Sequence, residues 1–146
     1  MLEIFFGKQE RNESTYKTLS ALVDGVATQI DLEYYTLYSA RFRKGGYVIA
    51  GNFPKLGSLC IKEESSFFYT LFKLREKLEQ ENILLCVWGS KKSVWPTGME
   101  ADMGGGFSAL DRDSEEGVAK FILETIGCSE TAKTDEQYEY IVNKET

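Results

Sequence analysis

The chain has 146 residues, enough for one domain built around one hydrophobic core, and its 42% apolar and 27% charged residues are ordinary globular usage. It contains no histidine, which excludes Ser-His and Cys-His nucleophile pairs and any His-ligated metal. No run approaches the ~20 consecutive apolar residues of a membrane span.

Charge is unevenly spread. Residues 1–98 hold 13 basic and 11 acidic side chains, whereas residues 99–146 hold 4 basic and 12 acidic ones. The acidic half repels phosphate, so nucleic acid is disfavoured as a partner there, and its field would steer a basic protein. A solvated acidic face that keeps the protein soluble accounts for the same charge.

The N-terminus, Met1-Leu2-Glu3-Ile4-Phe5-Phe6, carries an acid inside its apolar run and lacks a basic leader. Leu2–Phe6 therefore reads as a strand and not a signal peptide. Tyr16, Leu19, Leu22 and Val23 recur at helical spacing behind a cap at Asn12 or Ser14, and Gly25 is expected to end that helix. Residues 33–50 read as a hairpin turned at Lys44-Gly45-Gly46, followed by a loop over residues 52–57 and a third strand at Ser58–Lys62. Residues 65–81 form the clearest helix, capped at Ser65 or Ser66, with an apolar stripe of Phe67, Phe68, Leu71, Phe72, Leu74 and Leu78. Ile83–Trp88 is continuously apolar, as a central strand buried on both faces would be.

Gly106–Arg112 is a short strand, and Ser114 caps a third helix with Val118, Phe121, Ile122 and Ile126 inward and Gly127 closing it. Residues 128–146 are a peripheral tail or edge element; strand and helix both suit Tyr138-Glu139-Tyr140-Ile141-Val142. The order predicts a single domain, residues 1–146, of α/β composition and α+β type: a mixed, largely antiparallel sheet with about three helices packed on it.

Cys60, Cys86 and Cys128 are odd in number, widely spaced and free of any CxxC pair, so zinc is not expected. Three reduced, structural thiols suit a cytoplasmic protein.

Residues 94–110 stand out. Met99 and Met103 lie one helical turn apart, Thr97 can cap that turn, and Gly104-Gly105-Gly106 lets the chain reverse. One reading is a Met-anchored turn. A second is a glycine phosphate cradle, although the spacing matches no phosphate motif and Glu100, Asp102 and Asp111 would repel an anion. A third is a partner-binding patch, in which Trp95 beside Pro96, flexible methionines and nearby acids supply an anchor and a charged rim. Glu100 with Asp102, or Asp111 with Asp113, alternate as Ca²⁺ ligands do, but no EF-hand loop is complete. Tyr34, Tyr35, Tyr38, Phe42, Tyr47 and Phe53 with nearby arginines could stack bases; a half-buried sheet uses such aromatics anyway.

The stretch Trp95-Pro96-Thr97-Gly98-Met99, Asp102-Met103-Gly104-Gly105-Gly106 and Ala109 resembles loops of small toxin-immunity proteins of the contact-dependent inhibition or polymorphic-toxin type. The resemblance covers residues 95–109 and implies a small, acidic, cytosolic, non-enzymatic inhibitor that binds a basic bacterial toxin by charge complementarity. With no cofactor, metal or catalytic group indicated, the expected function is neutralisation of a basic protein partner through Trp95, Glu100, Asp102, Asp111, Asp113 and Glu116. The rival expectation is a nucleotide-binding or sequestering domain, such as a phage anti-defence protein, using the glycine loop with Arg41 and Arg43 or Lys91 and Lys92.

Overall fold

Alternation of inward and outward residues dominates the first half of the chain. The structure is a computed structural model describing residues 10–38 and 45–145. The expected strand at Leu2–Phe6 lies outside the described residues, as do Arg41, Phe42, Arg43 and Lys44. In Thr15–Val23 (β2), Leu19 and Ala21 point into the core two residues apart. This segment was expected to be a helix. Its β-branched and aromatic residues and its pairing with Val26–Tyr38 (β3) override the helical spacing. Asp24 and Gly25 both have positive φ, 50° and 77°, which is the type I′ geometry that turns a two-residue hairpin. Gly25 thus turns a hairpin and ends no helix.

Glu10–Arg11 (β1) pairs with the same edge of β3 as β2 does. Arg11 lies opposite Leu37 and Thr15 opposite Tyr34, so β1 and β2 are one strand interrupted by a bulge at residues 12–14. Gly45–Phe53 (β4) and Gly57–Glu63 (β5) complete the meander, and Gly45 and Gly46 lie within β4 instead of at its turn.

Phe67–Glu79 (α1) starts where Ser66 accepts the Tyr69 amide at 3.0 Å. Its apolar stripe packs Leu71, Leu74 and Leu78 onto β4, β5 and Ile83–Leu85 (β6), contributing ~1.5–3 kcal/mol per fully buried side chain. Among the described residues β6 pairs with β2 alone and stands at the end of the order β5-β4-β3-β2-β6, not at its centre. It is apolar because α1 and residues 122–131 cover it: Ile126 donates to the Cys86 carbonyl and Trp88 to that of Glu124.

Val94–Trp95 (β7), Ser108–Asp111 (β8) and Ala119–Phe121 (β9) form a second, antiparallel sheet. The third helix expected after Ser114 is absent. Ser114 and Gly117, at φ +69°, instead turn the chain from β8 into β9, and Asp111 donates its amide to the Val118 carbonyl. Gly98–Asp102 (α2) is a single turn, and the tail resolves as a helix, Thr134–Glu145 (α3). The result is an α+β fold, with every strand pairing among the described residues antiparallel. One core cluster runs through both sheets, and Phe67 joins them by stacking on Phe107 at 4.4 Å while lying 5.2 Å from Tyr34.

The cysteines are not all reduced. Cys86 and Cys128 are disulfide-bonded, with Cα atoms 4.9 Å apart, because the Val87–Thr125 bridge returns residues 122–131 alongside β6. Cys60 is free and exposed. Among the described residues, no helix is long and apolar enough to cross a membrane.

Candidate binding surface

Residues 95–103 stand at the mouth of a cleft. Thr97 and Glu100 form a reciprocal capping box: Thr97 accepts the Glu100 amide at 3.1 Å, and Glu100 accepts the Thr97 amide at 2.8 Å. This fixes α2 although it is only one turn long. Its inward residue is Ala101, while Met99 and Met103 are 71% and 82% exposed. The expectation of a Met-anchored turn is therefore wrong; the cap holds the turn and both methionines project into solvent.

Beside α2 lies a cleft of about 440 Å³, formed between the start of α1, the segment from Trp95 to Ala101, and Arg112 with Glu145. Trp95 forms its wall. The indole is half-buried, 4.9 Å from Phe68, 5.7 Å from Phe72 and 6.1 Å from Tyr138. Arg112 fixes the approach to it, donating to the Trp95 and Pro96 carbonyls and pairing with Glu145 at 2.9 Å. Tyr69, Tyr138 and Val142 add partly exposed apolar surface on α1 and α3. Exposed apolar side chains gathered beside a cleft are the kind of feature that marks interaction surfaces.

The acids singled out from sequence have different fates. Glu100 caps α2. Asp102 is exposed on α2, and Glu116 is exposed in the β8–β9 turn, away from the cleft. Asp111 is buried, 3.0 Å from the Lys91 ammonium, and accepts the Asp113 amide at 2.9 Å. Burial pushes its carboxyl up, but the Asp113 amide, the Ser93 hydroxyl and Lys91 outweigh this and hold it below the ordinary aspartate value. Asp113 is held low by Lys144 at 2.7 Å and by the Tyr140 hydroxyl, so it ties α3 to the β8–β9 turn. Trp95, Glu100 and Asp102 thus converge on one surface, whereas buried Asp111 and exposed Asp113 are already paired with Lys91 and Lys144.

The glycine loop is explained by packing. The Phe67 amide donates to the Gly105 carbonyl at 2.7 Å, and a Cβ on Gly106 would lie 2.8 Å from the Ser66 Cβ. Lys91 pairs with Asp111, and Lys92 sits over the Tyr140 ring. Three aromatics of the meander serve the core, Tyr34 and Tyr47 in the Phe67–Phe107 cluster and Phe53 buried, whereas Tyr35 lies under the Arg11 guanidinium and Tyr38 is exposed. Sequence reading missed Tyr69, Tyr138 and Val142, which come from different elements and gather only in the fold. A scan against protein-family models found no match, and neither did a search of curated proteins.

Proposed function

We propose that this protein is a non-enzymatic binding protein that neutralises a basic protein partner, of the immunity or antitoxin type, through the surface around Trp95 and α2. The observation that carries the proposal is the exposure of Met99 and Met103 on a capped turn beside an aromatic cleft, with Asp102 between them. Flexible methionines adapt to a partner, a half-buried indole anchors it, and the exposed Asp102 carboxylate at the rim favours encounter with a cation-rich surface. The charged residues lining the cleft, Arg112 and Glu145, form an ion pair, and neighbouring Glu100 serves as a helix cap, which favours binding over proton transfer. The expected place of action was the cytoplasm, but the Cys86–Cys128 bond favours an oxidising compartment.

The test is affinity capture from the native host at low and then high salt, with the natural chain and with the Met99→Ala, Met103→Ala variant in parallel. A stoichiometric basic protein that the natural chain retains, that salt elutes and that the variant fails to hold supports the proposal. A partner held equally by both chains, or none at all, contradicts it.

A further inference from the structure

The C-terminal helix is fastened to the body in an unusual way. α3 buries only Thr134, Gln137 and Ile141, so Ile141 is its one fully buried apolar side chain, helped by the partly exposed Tyr138 against Trp95. Its other anchors are polar. Glu79 accepts the Thr134 amide and hydroxyl, and Gln137 donates to the Gly89, Lys91 and Val94 carbonyls while accepting from buried Arg75. Upstream, Ala132 donates to the Ser90 carbonyl and Thr131 to that of Leu85, both at 2.9 Å. Hydrogen bonds exchange with water at small net cost, so an element held mainly by them opens before a hydrophobic core does. When those bonds open, the covalent tie nearest α3 is the Cys86–Cys128 bond, six residues before the helix begins. It keeps the released helix beside its seat and favours immediate reclosure.

We propose that α3 is a redox-latched strap: reduction of Cys86–Cys128 lets it undock locally, uncovering Trp95, Phe72 and Arg75 while the large sheet stays folded. Half-exposed Cys128 is the point of attack. A dithiol thiolate bonds to the Cys128 sulfur and displaces Cys86 as thiolate. The second thiol of the reductant then closes its own ring disulfide and releases Cys128, leaving two protein thiols and an oxidised dithiol. Undocking removes Tyr138 from the Trp95 ring and opens a groove that is apolar on one side and carries the Arg75 guanidinium on the other.

Hydrogen exchange on the full chain, with Cys60 replaced by Ser, compares the oxidised protein with the same protein in dithiothreitol. The strap predicts amides of residues 137–142 exchanging at least about tenfold faster after reduction, with β2, β3 and β4 unchanged. The Cys86→Ser, Cys128→Ser variant should reproduce that pattern. Equal protection of α3 in both states overturns the proposal, as does acceleration of α3 and the large sheet in step, which would report loss of global stability alone. Neither readout needs the binding partner, so failure here leaves the function proposed above standing.

Discussion

Arg75 and Gln137 carry the most demanding side-chain chemistry in the molecule. Arg75 is almost fully buried, which pushes its guanidinium down to about 10 against the pull of Glu79, and its hydrogens go to the Gly89 and Ala132 carbonyls and to Gln137. A charge kept in the interior needs all of its partners. Gln137→Leu should therefore cost about 3 kcal/mol, measured by urea denaturation, because it takes one acceptor from the buried guanidinium and one donor from each of the Gly89, Lys91 and Val94 carbonyls, putting a side chain with no polar atom in their place. Asp111 and Asp113 make the acid limb. A carboxyl held low in the folded state contributes stability above the ordinary aspartate range and loses it as pH falls through the folded value. Glu79, pushed up mainly by burial, runs the opposite way, losing its contribution as pH rises through its folded value. Denaturation followed from about pH 6 to about pH 2 should show stability falling in acid, and Asp111→Asn should flatten that fall. Sequence displayed these aspartates as charges on an acidic segment. It could not display their partners, because Lys91 is 20 residues from Asp111 and Lys144 is 31 from Asp113.

Elements were legible where a local signal agreed with the tertiary fold. Ser66 before a wide apolar stripe announced α1, and Thr97 announced the turn that became α2. β2 was misread because Tyr16, Leu19 and Leu22 fall at helical spacing by coincidence; Asp24-Gly25 between two apolar runs was the hairpin signal that would have corrected it. The helix expected after Ser114 failed at Gly117, whose left-handed φ turns the chain back into β9. Glycines test this level well. Gly106→Ala must hold φ +75° with its Cβ 2.8 Å from Ser66, at the very start of α1, and should cost about 2 kcal/mol or more. Gly98→Ala meets nothing within 4 Å and should change stability by no more than about 0.5 kcal/mol, with thermal melts of the two variants as the check.

At the scale of the molecule, the α+β class and the antiparallel meander could be read from patterning, since alternation and turn residues are local. The binding surface could be read only in part. Trp95, Glu100 and Asp102 are neighbours in sequence, whereas Tyr69 and Tyr138 join them through the packing of α1 and α3. The fold also offers a competing surface, a sheet face where Tyr16, Asp31, Glu33 and Ala50 line a trough of about 510 Å³. The two lie on different elements and separate cleanly in experiment. The most direct measurement of the central claim is hydrogen exchange of the protein free and in complex with its captured partner. A partner docked beside Trp95 and α2 should add protection confined to residues 65–69, 95–103 and 138–142, with β2 and β3 unaffected. Protection over residues 16–18, 31–33 and 50–51, with the Trp95 surface unchanged, would contradict it.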